Sequence, residues 1–192
     1  MHAVAHIEFN AIDLAFDMVA RFCASPEIEE AQRGDFIGDW IGVGDDEARH
    51  FGMIADRLEE MGGAYGDLPA HNGLWEAAQA TRGDLAARLA VAPLVLEARG
   101  LDVTPGMIER LVGAGDEESA ALLRIIYDEE IGHVAAGSRW FRRLAAHRGK
   151  EAETYFRDLV VNHFRGQLKR PFNATARDRA GLPGRFYEPL AD

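Results

Sequence analysis

Two short motifs combine the residue types that bind metal ions through oxygen and nitrogen. Glu47 and His50 form one Glu-x-x-His pair, and Glu130 and His133 form a second. Residues three apart lie on one face of an α-helix, so each pair would present a carboxylate and an imidazole side by side. The two motifs therefore predict a metal site, provided that both face the interior of the protein.

The helical pattern around both motifs places them on buried faces. Apolar residues recur in steps of three and four on either side of each pair, as in the inward stripe of an amphipathic helix. The stripe of the first pair comprises Phe36, Trp40, Val43, Ile54, Leu58 and Met61. The stripe of the second comprises Leu123, Ile126, Gly137, Trp140 and Leu144, in which Gly137 leaves room for a close neighbour.

Two other helices each carry a single glutamate in phase with an apolar stripe: Glu8 precedes Ile12, and Glu97 follows Leu94. Taken singly, each would be an ordinary exposed residue. Four ionised carboxylates in one core would cost several kcal/mol each, and two divalent cations would cancel their charges. One Glu from each of two helices plus Glu-x-x-His from two others is the ligand set of dimetal carboxylate proteins. The predicted metal ligands are Glu8, Glu47, His50, Glu97, Glu130 and His133.

The acids directly before the two motifs are candidates for supporting the imidazoles. Asp46 and Glu129 each precede the glutamate of a motif. Each could accept the ring N–H of the histidine on the opposite helix, a contact that orients a metal-bound imidazole. The alternative is an exposed acid near the edge of the helix packing. Arg49 and Arg99 adjoin the ligand segments, and we expect them to pair with nearby acids.

Helical periodicity runs through almost the whole chain, and alternating β-branched segments bounded by turns are nearly absent. The predicted fold class is all-α, with four long helices and an additional C-terminal helix. The long helices are predicted near residues 3–24, 35–61, 81–99 and 116–147, and the additional helix near 150–168. We expect a helical domain over residues 1–168 that contains the metal site, and an irregular tail over residues 169–192 packed on it.

The third long helix has distinct start and stop signals. Thr81 followed by Asp84 resembles a capping box with Asp in the Glu position, and Gly100 is expected to end the helix. Pro93 is expected to kink it, because proline has no backbone N–H to donate. A separate short helix is expected to begin at Thr104, which is followed by proline.

Composition limits the classes of protein to which the chain could belong. Its 192 residues, 47% of them apolar, suffice for one domain with a substantial core. The single cysteine, Cys23, excludes an intrachain disulfide and a cysteine-based metal cluster, which fits a reducing compartment. No apolar run approaches the ~20 residues of a membrane span, and no basic and apolar leader is recognisable. We therefore expect a cytoplasmic location without membrane contact.

The net charge of −11 disfavours contact with nucleic acid. The charge is unevenly distributed: residues 1–138 contain 9 Lys and Arg against 26 Asp and Glu, whereas residues 139–192 contain 12 against 6. This basic C-terminal region could lie on the acidic remainder of the chain and neutralise it. Alternatively, it could bind an anionic substrate or partner.

Five segments resemble a bacterial ferritin-like family of unknown function, and the resemblance extends across nearly the whole chain. The segments are HAVAHIEFNAIDLAFDM, DDEARHF, LEARGLDVTPG, DEEIGHVAAGSRWF and LKRPFNATARDRAG. The first four contain all six predicted ligands. The resemblance implies a ferritin-like four-helix bundle with a dimetal site, and it implies no particular reaction.

A dimetal site is compatible with several functions. We expect an oxidoreductase in which two iron ions, or manganese, activate O2 to oxidise or hydroxylate a small-molecule substrate. The alternatives are a ferroxidase or iron-storage protein, a manganese catalase, and a tRNA-modifying hydroxylase, against which the acidic composition argues. An external electron donor and a homo-oligomer are compatible with the sequence, which identifies neither the donor nor the substrate.

Overall fold

The computed structural model describes residues 1–191, and within them β-structure is limited to one isolated bridge between Leu168 and Ala191. The predicted all-α class is confirmed. Asp192, the last residue of the predicted tail, lies outside the described residues. None of the described helices combines the length and apolar character needed to cross a membrane. The helices are α1 (His2–Phe22), α2 (Glu30–Glu60), α3 (Gly73–Ala80), α4 (Leu85–Val91), a π-helical segment (Ala92–Glu97), α5 (Ala98–Gly113), α6 (Glu117–His147), α7 (Ala152–His163), α8 (Ala174–Arg179) and α9 (Gly184–Tyr187).

Four long helical elements pack against one another and enclose the core. α1 packs along α2, the continuous run from α4 through α5 packs along α6, and α2 also contacts α6. Removal of apolar side chains from water is the dominant favourable term in folding, and here it joins all four elements. Fully buried members of the main apolar cluster are Phe36, Leu89, Leu94, Val134 and Phe141.

The run from α4 to α5 differs from the prediction at both ends. Asp84, and not Thr81, caps the helix, because the Asp84 carboxylate accepts hydrogen bonds from two backbone N–H groups of the first turn. The helix also continues through Gly100 and ends only at Gly113. A glycine inside a helix costs only about 1 kcal/mol of stability relative to alanine. Packing of this segment against α6 therefore outweighs the stop signal at Gly100.

The C-terminal segment supplies a hydrogen bond that Pro105 removes from α5. Pro105 lies inside α5 and has no N–H to donate to the carbonyl of Leu101, four residues earlier. The side-chain amide of Asn173 donates to that carbonyl at 3.2 Å. Arg177 adds a two-bond ion pair with Asp102, at 2.8 and 2.7 Å, and neither side chain is more than 2% exposed. The predicted irregular tail thus contacts α5 closely and includes the short helices α8 and α9.

A π-helical turn begins where Pro93 was expected to produce a kink. The segment Ala92–Glu97 is wider than an α-helix, because its hydrogen bonds span five residues instead of four. The ring of Pro93 packs directly onto α6 at Gly137, where an added Cβ would lie 2.5 Å from Pro93 Cβ. Gly137 therefore allows the close approach of the two helices that its position in the sequence had suggested.

Adding one methyl group at Gly137 tests this close approach. In Gly137→Ala the new Cβ would overlap the ring of Pro93, so overpacking should lower the stability by about 1–3 kcal/mol. The matched control is Gly132→Ala on the same helix, where a Cβ has no neighbour within 4 Å and should add up to ~1 kcal/mol of stability. Thermal unfolding of the metal-free proteins measures both changes. An unchanged or raised unfolding temperature of Gly137→Ala would contradict the close contact between Gly137 and Pro93.

Candidate metal centre

Four side chains from three helices meet in the protein core. Glu8 of α1, Glu47 and His50 of α2, and Glu130 of α6 each offer one ligand atom, and these atoms all lie within 4.8 Å of one another. His50 Nδ1 lies 3.3 Å from Glu8 Oε2, 3.4 Å from Glu47 Oε2 and 3.9 Å from Glu130 Oε1. A buried cluster of this composition could hold a metal ion.

His133 extends the cluster from the second motif. Its Nδ1 lies 3.1 Å from Glu47 Oε1 and 3.2 Å from Glu130 Oε1. The rings of His133 and His50 are 5.8 Å apart between centroids, and their side chains are 4% and 0% exposed. The carboxylates of Glu47 and Glu130 therefore approach both imidazoles in a region from which water is nearly excluded.

Glu97 is at the last position of the π-helical segment. It is not one of the four residues whose ligand atoms lie within 4.8 Å of one another, but its carboxyl is close enough to be affected by the charges of Glu130, Glu47 and Glu8. Burial raises the pKa of the Glu97 carboxyl well above its usual range, and the negative charges of Glu130 and Glu47 raise it further. Burial and the charge of Glu47 also raise the pKa of Glu130. Negative charge is thus crowded here, so that in the absence of a cation Glu97 keeps its proton to a higher pH than an exposed glutamate does.

Asp46 and Glu129 accept hydrogen bonds from the outer ring nitrogens of the two histidines. His50 Nε2 lies 2.6 Å from Glu129 Oε2, and His133 Nε2 lies 3.3 Å from Asp46 Oδ2. Each acid thus contacts the histidine of the opposite helix. Because an ionised carboxylate only accepts, Nε2 carries the hydrogen and each imidazole presents Nδ1 to the cluster.

Arg49 joins the two supporting acids and was not among the predicted site residues. Its Nη2 donates to Asp46 Oδ1 at 2.8 Å and to Glu129 Oε2 at 2.7 Å. Partial burial would raise the pKa of both acids, but the hydrogen bonds from Arg49 and the histidines outweigh it and lower both pKa values. The spacing of three could have predicted the Asp46–Arg49 pair, whereas the contact with Glu129 depends on how α2 and α6 pack.

The surrounding carboxylates raise the pKa values of both histidines. Burial by itself lowers the pKa of His50, but the close carboxylates of Glu47, Glu8 and Glu129 raise it to about 10. Burial also lowers the pKa of His133, but hydrogen bonds to Glu130 and Glu47 raise it to about 12. Both imidazoles are therefore protonated at neutral pH when no cation is bound.

Four polar atoms of the cluster are buried without a well-directed hydrogen bond: Glu8 Oε2, Glu47 Oε2, His50 Nδ1 and Glu97 Oε2. His50 Nδ1 lies 3.3 and 3.4 Å from the two oxygens of Glu8 and Glu47, but the direction of these contacts is poor for hydrogen bonds. Residues 1–191 contain eight such side-chain atoms, so half of them are concentrated here. Buried polar atoms nearly always have a partner, since leaving one unsatisfied costs about 1–3 kcal/mol. The cluster therefore concentrates buried oxygen and nitrogen atoms that the neighbouring side chains do not satisfy, and such a donor set could hold a metal ion.

The fold and this cluster define an all-helical protein with a buried Glu/His site that could hold a metal ion. The chain belongs to the DUF455 family, a family of proteins of unknown function, which it matches over residues 1–188. A similar protein of Haemophilus influenzae, described as uncharacterized, is 41% identical over 182 residues, which are 95% of this chain and 63% of that protein. This chain therefore spans less than two thirds of the length of that relative. No solved structure matches it.

Replacing Glu97 by leucine should increase stability at the expense of metal binding. In the metal-free protein, Glu97→Leu removes a buried carboxyl with an unpartnered oxygen, which should add about 1–3 kcal/mol of stability. Because a raised carboxyl pKa makes the folded wild type more stable as the pH falls, this gain should shrink toward acidic pH. Added Mn(II) should stabilise the variant less than the wild type.

The matched control for this variant is Glu109→Leu, which removes an exposed acid of the neighbouring helix α5. It should alter neither the pH dependence nor the stabilisation by Mn(II). Thermal unfolding with and without metal, at several pH values, measures both effects. A metal-free Glu97→Leu protein less stable than the wild type near neutral pH would contradict the expected cost of the buried carboxyl.

Metal binding should release protons from the cluster. His50 and His133, with pKa values of about 10 and 12, carry an extra proton at neutral pH, and an imidazole must lose it to bind a metal ion. Adding Mn(II) to the metal-free protein at pH 7 should therefore release at least about two protons per chain, and any protons held by the carboxyls of Glu97 and Glu130 would add to this number. Calorimetric titration in two buffers of different ionisation enthalpy measures this number. Identical heats in the two buffers would rule out the release.

Proposed function

We propose that this protein is a ferritin-like dimetal carboxylate oxidoreductase that uses O2 to oxidise or hydroxylate a small molecule. The two metal ions would be iron, with manganese as the alternative, since carboxylate and imidazole ligands suit both. The observation that carries the proposal is the group of unpartnered oxygen and nitrogen atoms on four in-phase core residues, Glu8, Glu47, His50 and Glu97.

The charge of the cluster favours two divalent ions over one. Its four carboxyls carry four negative charges when ionised, and two divalent cations neutralise them. Without cations, each buried ionised carboxylate would cost several kcal/mol, or the cluster would have to hold protons in their place. The raised pKa values of Glu97 and Glu130 indicate that the metal-free protein holds such protons. Protons, however, leave several ligand atoms unpartnered, whereas metal ions would bind them.

The long helices supply the ligand set of dimetal carboxylate bundles. α2 and α6 each carry a Glu-x-x-His motif, α1 carries Glu8, and the π-helical segment carries Glu97. Glu47 and Glu130, which approach both histidines, would help to hold the metal ions together with His50 and His133. Glu8, beside His50, would complete the set together with Glu97, whose pKa is raised by burial and then by the charge of Glu130.

The helix packing supports the ferritin-like form of the proposal. α1 with α2, and the α4–α5 run with α6, form two extensively packed pairs. The proposed ligands come from both pairs and meet in the core between them. Sites of this kind are built in bundle cores from side chains on facing helices, and the meeting of Glu8, Glu47, His50 and Glu130 in the core supports the proposal.

The protein's own residues would orient the metal ligands and keep water out. A reduced iron pair would supply the electrons that reduce O2 and the oxidising power that acts on the substrate. Asp46 and Glu129 hold the imidazole Nε2–H groups, so that each Nδ1 faces the centre, and Arg49 holds both acids in place. Trp40 and Ile54, on the inward stripe of α2, are at most 2% exposed and exclude water along the core.

Metal analysis tests the site. Protein isolated with iron or manganese should contain close to two ions per chain, and His133→Ala should lose much of this metal while its far-UV circular dichroism stays helical. The matched control is His147→Ala, which removes an exposed histidine from the last turn of the same helix and should retain the metal. Full metal occupancy in His133→Ala would contradict the assignment of His133 as a metal ligand.

Iron loading separates an enzyme from an iron store. When ~50 Fe(II) equivalents are added in air, an enzyme with a two-ion site should saturate near two bound ions per chain, with O2 consumed in proportion. Soluble ferric iron that co-elutes with the protein on size exclusion measures the retained metal. Retention of a large ferric core by a cage-sized particle would defeat the enzyme proposal in favour of storage.

A further inference from the structure

A surface groove runs between α2 and α6 and ends at the metal centre. Its inner part is a cavity of about 440 Å³, and the ring of His133 forms part of its wall. A second cavity of about 450 Å³ continues the groove toward the N-terminal end of α2, where two acids, Asp35 and Asp39, and two bases, Arg139 and Arg143, line it. His133 is only 3% exposed, and it lines this groove. The groove is therefore the side of the protein on which His133 reaches solvent.

Three glycines, Gly38, Gly42 and Gly132, leave the inner part of the groove open. A Cβ built on any of them would have no neighbour within 4 Å, unlike Gly137, which accommodates Pro93. A glycine inside a helix costs about 0.5–1 kcal/mol relative to alanine, and no close contact offsets that cost at these three positions. The three glycines therefore serve to keep the inner cavity open.

The walls of this space carry a net negative charge. The charged residues that line the inner cavity are Asp39, Asp46, Asp128, Glu129 and Arg139. Arg139 pairs with Asp39 at 2.8 Å, and Arg49, which bridges two of the other acids, compensates one further charge. The protonated imidazoles of His50 and His133 pair with Glu129 and Asp46, so Asp128 is the lining acid left without an ion-pair partner within the described residues. A cleft lined by one sign of charge raises the local concentration of ions of the opposite sign.

His133 connects the groove to the unpartnered atoms of the core. Its Nε2 lies 3.3 Å from Asp46, whose side chain is 41% exposed, and its Nδ1 lies 3.1 Å from Glu47 Oε1. The other carboxylate oxygen of Glu47 is one of the buried atoms without a partner. A solvent-facing acid, a histidine and a buried carboxylate thus form a continuous series of metal-binding groups from the groove to the centre.

We propose that the α2–α6 groove is the route by which divalent metal ions reach the centre. This inference rests on the proposed dimetal function. The acids attract the hydrated cation, and the glycines leave it room to approach. Asp46 and His133 then offer ligands at the point where the cation loses water and reaches Glu47. The route serves metal loading, so it is tested by the rate of metal uptake and not by turnover.

Filling the groove should slow metal uptake without removing the site. Gly42→Leu places a side chain in the inner cavity and should reduce the rate at which the metal-free protein takes up Co(II) by about tenfold, at an unchanged final content. The matched control is Gly106→Leu on α5, where a Cβ also has no neighbour within 4 Å; it should keep the wild-type rate. Stopped-flow absorbance after addition of Co(II) alone gives the rate, and equilibrium dialysis gives the content.

Removing charge from the groove should slow uptake in a salt-dependent way. Asp128→Asn should lower the Co(II) uptake rate about two- to threefold at low ionic strength, and the difference should disappear in ~1 M salt, where charges are screened. Asp158→Asn removes the same charge from α7, away from the groove, and should leave the rate unchanged.

The outcomes distinguish this route from the function on which it rests. A wild-type protein that binds no Co(II) would refute the dimetal site and the route together. A wild type that binds Co(II) no faster than Gly42→Leu would refute the route alone. Loss of final Co(II) content in Gly42→Leu would also count against the route, because Gly42 would then shape the site instead of access to it.

Discussion

Carboxylates and imidazoles crowded into a core are unfavourable unless their charges are compensated, and this constraint shapes most of the structure around the centre. The metal-free protein meets it with protons, as the raised pKa values of Glu97, Glu130 and both histidines indicate. Protons compensate the charge, but they leave four buried polar atoms without a well-directed hydrogen bond. The protein therefore retains an arrangement that costs stability and that could hold a cation.

The same constraint explains the polar contacts between α2 and α6. The faces of these helices that line the groove are rich in glycine, so apolar packing contributes little there. Charged contacts join them instead: Arg49 bridges Asp46 and Glu129, and Asp39 accepts from Arg139 and Trp140 Nε1. Because each supporting acid bonds the histidine of the opposite helix, the contacts that join the two helices also orient both imidazoles.

The third long helical run positions Glu97 through two proline sites. On the N-terminal side of Glu97, Pro93 begins the π-helical turn and packs onto Gly137. On the C-terminal side, Pro105 leaves a carbonyl free, and the C-terminal segment binds it through Asn173. The run is thus held against its neighbours on both sides of the carboxyl. The C-terminal segment consequently contributes to the shape of the helix that carries a candidate ligand, although it contributes no candidate ligand of its own.

The sequence by itself determined the features that depend on local spacing. Steps of three and four predicted the all-α class and the core-facing phase of Glu47, His50, Glu130 and His133, because residues so spaced share one face of any α-helix. Single residues predicted helix ends less well, since packing against α6 overrides the stop signal at Gly100. Only the tertiary structure decided the π-helical turn, the bridge made by Arg49 and the open groove beside Gly42. These features depend on the distance and rotation between helices, and such interhelical geometry is set by packing across the whole core.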